Sequence, residues 1–341
     1  MPMTGILLGA GSLLAVQGCK SSLGVKGGRT ATAPLPKDML AEAENLKSLG
    51  RDEQAIALLN RAIEQNPELT SAHLDLGDLY LQRGQITFAE RRFREAARQK
   101  PDNFRAQYGH GLALQLLGRL AESVRAYLRA LSINENDFDA NLNLATAFLQ
   151  LDGPAQAKPY ALRAIELNPA SGPAHANLGA VYSGLASLTG DGGTSTAAQA
   201  QHERAVKEYE TAAELMDLTP SLLISWAESL GRLGRYREML NTLKAAVRIE
   251  PTAPAYERVG YAFFKLGEYD KAQEAFHRAV QIDARHYPAH NGMGVCLLNE
   301  WITGGREDEQ IRALAISHLR ASLRIYERQP RIVELVSRYG R

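Results

Sequence analysis

One spacing constrains this chain more than any other feature: small residues recur every 34 positions. Ala43, Gly77, Gly111, Ala145 and Gly179 form one ladder, Ala55, Ala89, Ser123 and Ala157 a second, and Ala62, Ala96, Ala130 and Ala164 a third. After a slip of 14 residues, Ala227, Gly260 and Gly294 resume the first ladder, and Ala205, Met239, Ala272 and Ala315 the second. Pro67, Pro101, Pro169 and Pro251 close their units, Glu135 and Ala284 stand in that place elsewhere, and Gly50, Gly84, Gly118, Gly234 and Gly267 mark a bend within them. A chain with such a period stacks copies of one small unit, because no single copy buries its own apolar face.

Within a unit the pattern is helical. Leu76, Tyr80, Phe88, Phe93 and Ala96 fall three to five residues apart except across the turn at Gly84, which puts them on one helical face. Each unit therefore reads as helix, tight turn, helix. The in-helix glycines carry a second message. Gly costs about 1 kcal/mol relative to Ala inside a helix, so a ladder of them implies a neighbour too close for a larger side chain.

With Leu-Gly before Tyr80 and Tyr182, two residues standing between, the pattern resembles the tetratricopeptide repeat. The resemblance implies an all-α fold, a right-handed α-solenoid of about eight helix-turn-helix repeats over residues 36–325. Ile332, Leu335, Val336 and Tyr339 then give residues 326–341 the apolar stripe of a capping helix, which solenoids need over their last open core face. Two units are stretched, near 186–204 and 302–314. Both insertions fall between the two helices of a unit, with Gly190 to Thr196 composed as a solvated loop. A tolerated insertion and a flap over a ligand groove are the two readings of them.

Chemistry-bearing motifs are sparse. No phosphate-binding glycine loop, His-Glu-x-x-His or Gly-x-Ser-x-Gly elbow occurs, so no catalytic residue is assigned and no cofactor is called for. His73, His175 and His290 occupy one repeat slot, which Met39, Leu223 and Tyr256 fill in other units, so they spread along the solenoid and assign no metal site. Cys296, in an apolar helix, reads as a small core residue. Lys and Arg total 39 against 38 Asp and Glu, without the basic excess of a nucleic-acid binder. The mixed-sign runs AERRFREAARQK and HERAVKEYE read as solvated outer faces.

Binding remains. Stacked hairpins present a concave surface lined by the first helix of each unit. Two residues before each small residue stand Asp75, Asn143, Asn177, Ser225 and Arg258, the candidate lining of a peptide-binding groove. Resemblance to peptide-binding members of the family implies that Asn143 and Asn177 hold an extended peptide backbone, each amide offering a donor and an acceptor. The plainer reading makes them solvated polar groups. Leu40, Leu74 and Tyr108 occupy the surface where chaperone-binding relatives carry a carboxylate clamp. On this reading Asn143→Ala with Asn177→Ala weakens partner binding and leaves the unfolding midpoint nearly unchanged.

Residues 5–16 are apolar and uncharged, too short for a membrane span of about 20 residues but suited to a secretory signal. With Gly18 before Cys19, residues 1–18 resemble a bacterial lipoprotein signal, which implies acylation of Cys19 and cleavage before it. Residues 19–35 then form a tether with three positive charges and no acid, spanning about 23 Å as a flexible chain. The expectation is a lipid-anchored scaffold at the cell envelope, held to the membrane through acylated Cys19 and binding a protein or extended peptide. The alternative is a soluble cytoplasmic adaptor or co-chaperone with the same groove.

Overall fold

In the computed structural model, residues 35–189 and 195–340 are described, and among them stand seventeen helices and no strand. The first four hairpins are α1 (Pro36–Ser48) with α2 (Asp52–Gln65), α3 (Thr70–Gln82) with α4 (Ile86–Gln99), α5 (Phe104–Leu116) with α6 (Leu120–Ile133), and α7 (Phe138–Gln150) with α8 (Pro154–Leu167). The next four are α9 (Gly172–Ser187) with α10 (Thr196–Leu215), α11 (Pro220–Arg232) with α12 (Tyr236–Ile249), α13 (Ala253–Lys265) with α14 (Tyr269–Ile282), and α15 (Tyr287–Thr303) with α16 (Glu309–Ile325). A last helix, α17 (Pro330–Tyr339), closes the stack.

Local sequence explains the boundaries. Asn103, Asp137, Ser171 and Thr219 each accept a bond from the backbone N–H three residues on, satisfying a donor that a helix start leaves open. The hairpin turns need a left-handed residue, supplied by glycine at Gly84 (φ 68°) and its counterparts; in the fourth hairpin Asp152 takes that conformation at φ 56°.

The glycine ladder is explained by rings. A Cβ on Gly77 would come within 2.6 Å of the Phe93 ring, and one on Gly111 within 2.7 Å of Tyr127. Tyr209, Phe276 and Leu319 stand in the same relation to Gly179, Gly260 and Gly294. In these five hairpins the second helix presses one large, buried side chain onto the bare backbone of the first. Solenoid curvature follows from the next level of packing. First helices of successive hairpins touch (α3 with α5, α5 with α7, α7 with α9, α9 with α11, α13 with α15), whereas among the described residues no two second helices meet to that extent. The first helices are the inner wall.

Several expectations are corrected. The stretched units are mostly longer helices: α9 and α10 have 16 and 20 residues and α15 and α16 have 17 each, against 13 and 14 in a regular hairpin. Ala197, Ala198 and Ala200 favour helix, Ser195 caps α10 and Asp308 caps α16, so Thr196 begins a helix where a loop was expected. Phe88 is 53% exposed, its ring lying against Tyr80 instead of the core. Glu90, in a run expected to be solvated, is buried and meets Arg94, Arg119 and His110. Cys296 is fully buried, and burial pushes its thiol up to about 12. Ile332 of α17 is buried, with Leu335, Val336 and Tyr339 packed on the same terminal cluster. Among the described residues no helix is long and apolar enough to cross a membrane. Cys19, the signal of residues 1–18, most of the tether and residues 190–194 lie outside the described residues.

Candidate peptide-binding groove

The five residues expected in the groove all lie on first helices and are not gathered at one point. Four of them tie one hairpin to the next. Asp75 lies 2.9 Å from Arg105 of the following hairpin, which also pairs with Asp78, and 3.9 Å from Lys47 of the preceding one. Asn143 donates from Nδ2 to the Tyr108 hydroxyl (3.0 Å), and Asn177 from Nδ2 to Thr146 Oγ1 (2.7 Å). Burial, helped by the carboxylates of Asp139 and Asp137, pushes the Tyr108 hydroxyl up to about 12, so it stays protonated at neutral pH. Arg258 donates from Nε to Glu228 Oε1 (2.8 Å) and from Nη1 to the Pro254 carbonyl (3.4 Å). The plain picture of solvated asparagines therefore gives way to cross-hairpin bonds, each worth about 1 kcal/mol. Truncating Asn143 and Asn177 should therefore lower the unfolding midpoint, which the sequence reading expected to stay nearly unchanged.

Two of the five meet in one cavity. Asn177 and Ser225 line a space of about 360 Å³ between α7, α9 and α11, with Leu149, Met216 and Leu222 as apolar wall. Asn177 Oδ1, of a residue lining this space, is buried without a hydrogen-bond partner among the described residues. Arg258 lines a second cavity, of about 410 Å³, between α11 and α13. A third, of about 350 Å³, lies between α13 and α15 and is walled by Tyr261, Phe264 and Phe276. Marking one slot per repeat missed Glu257, Tyr261 and Asn291, which line these spaces. The signal for the first two was present: Glu257, Tyr261 and Phe264 stand at helical i, i+4 and i+7 spacing along α13.

The shared histidine slot has a structural use. His73, His175 and His290 meet, through Nε2, the carbonyls of Pro67, Pro169 and Ala284, six residues back, at 3.0 to 3.1 Å. Gln107 and Asn141 donate to Pro101 and Glu135 in the same way. Each fastens a first helix to the residue that closes the previous unit. His290 Nδ1 also lies 3.1 Å from His318 Nδ1 of α16. Among the described residues no three His, Cys, Asp or Glu side chains gather as a metal ion would need.

Comparison with known proteins agrees with this architecture. Tetratricopeptide-repeat family models match residues 74–138, 138–171 and 253–286, and a TPR-repeat model matches residues 44–84. The chain belongs to the tetratricopeptide-repeat family. This tetratricopeptide-repeat protein is 29% identical over 90 residues to small glutamine-rich tetratricopeptide repeat-containing protein 2 of Mycosarcoma maydis, 26% of each chain. It is 36% identical over 81 residues to the CTR9 homolog of Arabidopsis thaliana, 23% of this chain and 7% of that one. The chain thus spans about a quarter or less of these relatives. Among solved structures it resembles a tetratricopeptide repeat protein from Parabacteroides merdae, with TM-score 0.52 and 15% identity, covering 77% of this chain and 98% of that one. The likeness to that structure is one of fold. Tetratricopeptide-repeat domains bind proteins or peptides.

Proposed function

We propose that this protein is a non-enzymatic scaffold that binds a partner through an extended segment laid along the first-helix wall, and that Cys19 anchors it to a bacterial cell envelope through lipid. The observation that carries the binding half is the cavity lined by Asn177 and Ser225 on that wall, which combines apolar surface with the unmatched Asn177 Oδ1. Such a mixture suits a ligand that brings its own backbone donors and acceptors. The anchoring half rests on sequence: an uncharged apolar run, Gly18-Cys19, then a basic, acid-free tether.

Each half has its own test. Pull-down titration of a natural partner with Asn177→Ala should show weakened binding, with Asn177→Asp as a second variant that keeps the side-chain volume; unaltered affinity in both removes the groove assignment. Mass spectrometry of the N-terminal peptide from cells, beside a Cys19→Ser variant, should find a peptide beginning at an acylated Cys19. An intact, unmodified N-terminus would make the soluble cytoplasmic adaptor the better reading.

A further inference from the structure

Along the inner wall most charges are already matched. Asp75 and Asp78 meet Arg105, Glu228 meets Arg258, and the Lys265 ammonium lies over the rings of Tyr261 and Tyr236 at 5.6 and 5.9 Å from their centres. Glu257 of α13 is different. It lines both the α11–α13 and the α13–α15 cavities and is partly buried, yet it has no hydrogen bond or ion pair among the described residues. Across the α13–α15 cavity stands Asn291 of α15. Its Nδ2 is committed to Gln329 Oε1 at 2.7 Å, and its Oδ1 is buried without a partner. The same cavity is walled by Tyr261, Phe264 and Phe276.

A space with two unmatched acceptors, one of them ionisable, is complementary to a ligand that brings donors and positive charge. Aromatic faces beside them narrow the choice, since a planar guanidinium stacks on rings while donating through its edge. A carboxylate contributes two acceptor oxygens and an amide oxygen one site more, which a guanidinium with five N–H donors can meet together. Resting on the groove reading above, we propose that the α13–α15 cavity is an arginine subsite. It receives an arginine side chain of the bound segment, with Glu257 as counter-charge, Asn291 Oδ1 as second acceptor and Phe264 as stacking wall, while Lys265, which also lines the cavity, is held over the rings of Tyr261 and Tyr236. The state of the empty site is consistent with this. Burial, opposed by Arg258 and reinforced by Glu228, raises the Glu257 carboxyl above its ordinary range, and an arriving guanidinium would lower it again.

The subsite is tested by selection from a displayed library of random decapeptides against the full chain and against Glu257→Gln, with circular dichroism confirming that the variant folds. The wild type should enrich arginine several-fold at one position. A recovered peptide should bind about tenfold more weakly when that arginine becomes norleucine. Glu257→Gln should abolish the enrichment, whereas Asp152→Gly, in the fourth hairpin turn and lining none of the cavities, should leave it. Peptides recovered without arginine enrichment, or enrichment that survives Glu257→Gln, overturn the subsite and leave the groove standing. If no peptide is recovered by either protein, the groove reading and the subsite both fall.

Discussion

The two halves of the solenoid use the same hairpin for different ends. From α1 to α8 the 34-residue period is unbroken, and the inner wall spends its polar groups on itself: Asp75 and Asp78 on Arg105, Asn143 on Tyr108. From α9 onwards two units are stretched, and polar groups on the inner wall are left unmatched at Asn177, Glu257 and Asn291. All three groove cavities described above lie between α7 and α15. Hairpins are tied to one another in both halves, but in the second the ties Asn177–Thr146 and Arg258–Glu228 border cavities.

Ring removal tests the division with the largest effect. Phe93, fully buried between Gly77 and Gly109, should cost about 3–5 kcal/mol as Phe93→Ala in urea unfolding. Phe276, which walls a cavity, should fall at the low end of that range when truncated. Equal losses would mean that the second half is packed as tightly as the first.

The two carboxylates of unlike environment come next. Glu90→Gln strips the counter-charge from Arg94 and Arg119 and should cost about 2 kcal/mol. Glu257→Gln should do the opposite. Because folding raises the Glu257 pKa, the wild type loses stability as pH rises from the ordinary value of 4.5 through the raised one. The variant should then melt higher than wild type at pH 8 and nearly level with it at pH 4. A lower midpoint at pH 8 would show that Glu257 has a stabilising partner in solution.

Acid should loosen the molecule through its histidines. Burial holds His73, His110, His202, His286 and His318 below their ordinary 6.5, and at His318 the facing His290 and His277 add to it. A group with a lowered folded pKa stabilises above 6.5, and that stability is lost as pH falls below it. The unfolding midpoint should drop between pH 7 and 5, and His318→Gln should flatten the drop. A profile flat across that range would count against neutral buried imidazoles. The smallest effect is at the fourth turn, where Asp152→Gly relieves a left-handed aspartate and should stabilise by about 0.5 kcal/mol or less in thermal melts.

Much of this was legible in the residues. Three small-residue ladders carry the hairpin, its turn and its count, because each rung marks a place where backbone meets backbone or ring. The large partner of each rung, Phe93 for Gly77 or Tyr209 for Gly179, was legible only afterwards. It stands on the other helix of the hairpin, and its offset from the glycine grows where a unit is stretched. Within the groove, the first-helix slot placed Asn177 and Ser225 on one cavity wall but passed over Glu257 and Asn291, since a helix shows the inner wall a stripe and not one row.

The sequence by itself determined the local geometry: periodicity sets helix lengths, glycine sets the turns, and the apolar face sets what must be buried. Tertiary structure alone decided which polar groups meet. Glu90 found Arg119 of the next hairpin and was buried in spite of its charge, while Glu257 found no partner and faces two cavities. Such pairings join residues about 30 positions apart, across helices whose relative placement follows from many small packing contacts. A charge pattern read along one helix carries no trace of them.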